Sequence, residues 1–161
     1  MLTTFNGLPA HILLVHFVVV LAPLTAILAI ICSLWPGARQ RLIWLVTVLA
    51  VITSVLTPLT TEAGEWLEHR EGQTSLLHAH TELGDSMLYF SIALVAAAAL
   101  LAVLHIRETR SKPVKPVARW VVMAIVIIAS TATLVQVYRI GDSGAKATWG
   151  QDATSLSSAP G

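Results

Sequence analysis

Four long apolar stretches separated by polar segments constrain this chain more than any other feature: about Ile12 to Leu34, Leu42 to Leu59, Leu83 to Leu104 and Val117 to Val137. Each is near the roughly 20 residues that a helix needs to cross a hydrocarbon core of about 30 Å. In lipid the backbone polar groups must be satisfied inside the segment, and a helix does this. A mean hydropathy of +0.75 over 161 residues leaves no room for a large soluble domain. The expectation is an all-α membrane protein: a four-transmembrane-helix bundle over residues 1–150, then a disordered tail over 151–161 rich in Ser, Ala and Gly. The first span is expected to be retained rather than cleaved. No Lys or Arg precedes it, and its apolar run is longer than the roughly 7 to 15 residues of a signal peptide.

The charges give the bundle a direction. Arg39 and Arg41 lie between spans one and two, and Arg107, Arg110, Lys112, Lys115 and Arg119 between spans three and four, so seven of the ten basic residues share one side with a single acid, Glu108. By the positive-inside rule that side is cytoplasmic, which makes both termini and a loop from Thr60 to Glu82 extracytoplasmic. This loop is acidic, with Glu62, Glu65, Glu68, Glu71 and Glu82 against Arg70.

Local signals set the connections. Trp35-Pro36-Gly37 ends span one sharply, and Lys112-Pro113-Val114-Lys115-Pro116 does the same between spans three and four, so two tandem helical hairpins are expected. Pro23 should kink span one, freeing a carbonyl for a neighbouring helix or Thr25. The five tryptophans all flank spans, as interfacial anchors do. Cys32 has no second cysteine to pair with and reads as a small core hydrophobe. The hairpins also overlay as a weak repeat: His11 precedes His16 by five residues, and His80 precedes Asp85 by five. A parallel duplication of this kind would bring the outer ends of spans one and three together.

Four of the six histidines, His11, His16, His78 and His80, cluster where spans one and three begin. Imidazole in lipid is costly unless paired, ligating or facing a cavity, so this cluster is the main functional clue. Five residues on a helix are about 140° around and about 7.5 Å along, so His11 and His16 do not easily share one metal. His16 lies deeper and needs satisfaction more, either as a ligand or by donating to a facing helix. Of His78 and His80, the repeat favours His80 as the inward one. Glu82 and Asp85 also suit the dipole of a first helical turn. His69 reads as solvated and His105 as a helix C-terminal residue. Beyond span four, Arg139 either snorkels and pairs with Asp142 or binds an anion such as a haem propionate. No phosphate loop, CxxC pair, HExxH helix or hydrolase elbow occurs, and nothing marks a nucleic-acid partner.

Asn6-Gly7-Leu8-Pro9-Ala10-His11 running into Leu14-Val15-His16-Phe17, then Ala63-Gly64-Glu65-Trp66-Leu67-Glu68, His80 ahead of Gly84-Asp85, and the ending Arg139-Ile140-Gly141-Asp142-Ser143-Gly144-Ala145-Lys146-Ala147 together resemble a bacterial membrane-protein family known as domain of unknown function 2231. The resemblance runs to about Gly150. It implies a small polytopic protein of the bacterial cytoplasmic (inner) membrane with no established activity. Family members joined to Rieske-type iron–sulfur modules tilt the implication toward electron transfer; this chain carries no such module. Asp142 stands where the family often has histidine, and Ala10 where it usually has proline, so a site needing that histidine loses a ligand.

Three functions fit this pattern. The leading expectation is a redox-linked protein binding b-type haem near the outer face, with His16 and His80 as axial ligands and Arg139 on a propionate. Small residues at Gly84, Ala93 and Ala96 to Ala99 would let helices close around such a slot. The second is a zinc or copper site from His16, His80 and Asp85, with His11 or Glu62 alongside. The third is a non-catalytic subunit without cofactor, whose histidines only knit helices together and whose acidic outer loop docks a membrane-protein partner. Whether the chain is an enzyme stays open.

Overall fold

The computed structural model describes the backbone of residues 4–5, 8–71, 75–110 and 114–157, and the side chains of 13–66, 78–110 and 114–146. Four helices run up and down in turn: α1 (Ala10–Leu34), α2 (Pro36–Glu71), α3 (Ser75–Thr109) and α4 (Pro116–Ser157). A two-residue antiparallel pair, β1 (Thr4–Phe5) and β2 (Leu8–Pro9), precedes them, with Thr4 opposite Pro9 and Phe5 opposite Leu8. The helices form a ring in which α1 packs on α2, α2 on α3, α3 on α4 and α4 on α1, while α1 and α3 meet only slightly across the diagonal. Each expected span lies within one helix, and all four helices are long and apolar enough to cross a membrane.

The side chains are sorted for lipid. Small apolar residues fill the interior, with Ala22, Ala26, Ala29, Ala50, Ala97 and Ala98 at most 1% exposed, while bulky residues such as Val20 and Ile128 point outward at 64% and 68% exposure. Small inward residues let backbones approach closely, which is how helices associate when lipid tails are as apolar as leucine. Buried hydroxyls serve the same packing. Thr25, Thr53, Thr57 and Thr133 each donate to the carbonyl four residues earlier on their own helix, at 2.7–2.8 Å. Thr25 therefore serves Leu21, whereas the carbonyl that Pro23 frees belongs to Val19, four residues before the proline.

Aromatic belts mark the depth. Trp120 and Tyr138 on α4 are 68% and 74% exposed. About 27 Å of helix separates them at about 1.5 Å per residue, close to the thickness of a hydrocarbon core. Exposed Trp35 and Trp44 join the first belt, at the basic end, and exposed Tyr89 joins the second.

Beyond the second belt the helices do not stop. α1 has 25 residues against 36, 35 and 42 in α2, α3 and α4. The last three thus outreach α1 by at least about 15 Å. The segment from Thr60 to Glu82, expected as a loop, is helical up to Glu71 and again from Ser75. Likewise the helix of α4 continues through Gln151 to Ser157, where a tail without structure was expected. Apolarity ends at the belts, but propagation of a formed helix needs only one further hydrogen bond per residue, and Glu, Ala and Leu all favour it.

At the basic end Pro36 and Pro116 each open a helix where a missing N–H costs nothing, and Trp35 alone separates α1 from α2. Arg39 and Arg119 therefore belong to helices rather than turns. Arg39, on α2, is 1% exposed. It donates to the Cys32 carbonyl near the end of α1 at 3.2 Å and to both oxygens of Glu108 on α3 at 3.0 and 2.7 Å. Arg119 on α4 donates to the same carboxylate at 2.8 Å. A cation in a first helical turn opposes the helix dipole. Here the carboxylate and the carbonyl end of α1 offset that, and one ion cluster joins all four helices.

Candidate functional site

The residues singled out by the sequence do not all come together. His80 and the Arg139–Gly144 segment do, at the ends of α3 and α4 beyond the second aromatic belt. His80 is half-buried there, and its Nδ1 lies 2.9 Å from Ser143 Oγ. The Ser143 hydroxyl also lies 2.9 Å from the Ile140 carbonyl and donates to it. A hydroxyl has one hydrogen, so that donation leaves Ser143 Oγ as the acceptor and His80 Nδ1 as the protonated nitrogen. Gly144 makes the approach possible: a Cβ there would stand 3.1 Å from His80 Cε1 and 3.4 Å from Nδ1. The ring thus rests on bare backbone. Ser143→Ala should lower the stability of the solubilised protein by about 1 kcal/mol, the usual net worth of such a bond. In a His80→Ala background the same change should cost close to nothing; equal losses in both backgrounds would show the two side chains uncoupled.

A second tie lies below it on the same helix pair. Gln136, 2% exposed on α4, donates to the Leu83 carbonyl at 3.1 Å and to Ser86 Oγ at 2.7 Å on α3. Ser86 passes its own hydrogen to the Leu83 carbonyl at 2.7 Å. Sequence reading missed Gln136. Its signal was available: an amide in an apolar span needs partners.

The other expected ligands stand apart. His16 is exposed on α1, the helix diagonal to α3. The side chain of His11, like that of His69, lies outside the described residues. Asp85 and Glu62 are exposed, and His78, also exposed, has Nε2 3.6 Å from Glu82 one turn along. Asp142 pairs with Lys146 at 2.6 Å rather than with Arg139. Arg139 is exposed and makes no hydrogen bond or ion pair among the described residues. Among those residues, no three of His, Cys, Asp and Glu converge as metal ligands would. His105 is half-buried toward the basic end, and its buried Nδ1 finds no partner among the described residues.

The arrangement can position α3 against α4 and present an acidic, helical surface beyond the membrane zone. No curated protein and no solved structure matches the chain. The model of one family, described as predicted membrane protein (DUF2231), matches residues 7–155. That stretch holds the four apolar helices, the His80–Ser143 contact and the ion cluster, and the chain belongs to this family.

Proposed function

We propose that the protein is a non-catalytic subunit of a membrane complex, anchored by the bundle and docking a protein partner through the projecting ends of α2, α3 and α4. One observation carries this reading: the three helices continue past the second aromatic belt and display exposed Glu62, Glu65, Glu82, Asp85 and Asp142 there. His80, Ser143 and Gly144 hold two of those helices in register. By the basic turns this end is extracytoplasmic, in the cytoplasmic membrane of a bacterium. A basic partner surface suits it. Photo-crosslinking from Glu65 or Asp85 in intact cells should trap one discrete protein, while a probe at lipid-facing Val55 should not. Adducts of lipid alone from all three positions would overturn it.

Haem or metal binding would ask more of these residues. With Nδ1 of His80 given to Ser143, a ligand would have to take Nε2, and the serine would then fix the orientation of the ligating ring. The weakness lies on α1. His16 would have to turn inward from its exposed position to supply a second axial bond, with Arg139 left for a propionate. A zinc or copper site from His16, His80 and Asp85, with His11 or Glu62 alongside, would need those side chains to converge.

A further inference from the structure

A groove of about 480 Å³ runs along the outside of α4 against α3, lined by Phe90, Ile127, Ile128, Val135 and Gln136, with Arg139 closing one end. It begins inside the hydrocarbon zone bounded by Trp120 and Tyr138 and ends one residue beyond Tyr138, at headgroup depth. From Ile127 to Arg139 is roughly 18 Å of helix, about one leaflet of a core roughly 30 Å thick. Apart from the Thr131 hydroxyl, water has little to bond to along this wall. The Gln136 amide is already donating to Leu83 and Ser86. A hydrocarbon chain is the filling that matches both the wall and the length.

The rim supplies the specificity. Arg139 is a permanent cation without an ion-pair partner among the described residues, at the depth where lipid phosphates lie, and the carboxylate nearest in sequence, Asp142, is taken by Lys146. A guanidinium forms paired, charge-assisted hydrogen bonds with phosphate oxygens. We infer that this groove is a binding site for one anionic glycerophospholipid of the leaflet opposite the basic turns, its acyl chain along Phe90 and Val135 and its phosphate on Arg139. The site faces lipid on one side of the α3–α4 pair and does not depend on the docking of a protein partner.

The test is native mass spectrometry of the full chain in detergent, titrated with dioleoylphosphatidylglycerol or dioleoylphosphatidylcholine. Wild-type protein should take one phosphatidylglycerol about tenfold more tightly than phosphatidylcholine, a difference of about 1.4 kcal/mol. Arg139→Gln should bring the two lipids level, and Arg139→Lys should keep most of the preference. Val135→Trp, which fills the groove, should weaken both lipids. Excess inorganic phosphate should not displace the lipid, since it lacks the chain. Equal binding of the two lipids by wild type, or an undiminished preference in Arg139→Gln, would overturn the assignment. So would displacement by phosphate alone.

Discussion

Replacing Glu108 by glutamine is expected to cost the bundle about 3–5 kcal/mol, the usual penalty for leaving a buried charge without its counterion. The charge left behind is Arg39, 1% exposed, whose other contact is a single carbonyl of α1 and whose Nε has no partner among the described residues. The reverse change is milder. Arg39→Met removes the cation, keeps an apolar stem of similar length, and leaves Glu108 paired with Arg119 at 2.8 Å. The large penalty for breaking a buried pair comes from the charge left uncompensated, and here Arg119 still compensates Glu108. Unfolding of the solubilised variants should therefore rank Glu108→Gln well below Arg39→Met in stability. The opposite ranking would mean that Arg39 is not sealed between the helices.

Ala98→Leu should destabilise by about 1–3 kcal/mol through overpacking, whereas Ala99→Leu should stay within about 0.5 kcal/mol of wild type. The two positions are adjacent in sequence and opposite in environment: Ala98 is 1% exposed within the main core cluster, and Ala99 faces outward. A leucine at position 98 would wedge α3 away from its neighbours, while one at position 99 would add a lipid contact. Equal losses at both positions would mean that α3 is rotated from the orientation described.

The spans were legible because crossing a bilayer demands about 20 consecutive apolar residues, a length that a helix in a water-soluble core seldom needs. Their turns were legible because Pro36 and Pro116 mark helix starts. The helical extensions were not, since polar residues past a membrane span look the same in a loop as in a projecting helix. Which face of each span turns inward was also hidden. When every side of a helix is apolar, no moment distinguishes lipid from core, and His16 could only be placed by the fold. His80 was found from its place in a repeat, but its partner Ser143 sits inside a segment read for Arg139 and Asp142. The Arg39–Glu108 cluster joins residues 69 apart in sequence. Its one signal was Glu108, the lone acid among seven bases, and a charge that isolated has reason to be paired.

The visible spectrum of the wild-type protein, purified in detergent from haem-replete cells, tests most directly whether His80 is a helix tie alone or also a ligand through Nε2. A tie to Ser143 with an exposed His16 predicts a colourless protein without bound zinc or copper, whose stability falls in His80→Ala and is indifferent to haem supply. A low-spin Soret band that vanishes in both His16→Ala and His80→Ala, and persists in His105→Ala, would contradict this.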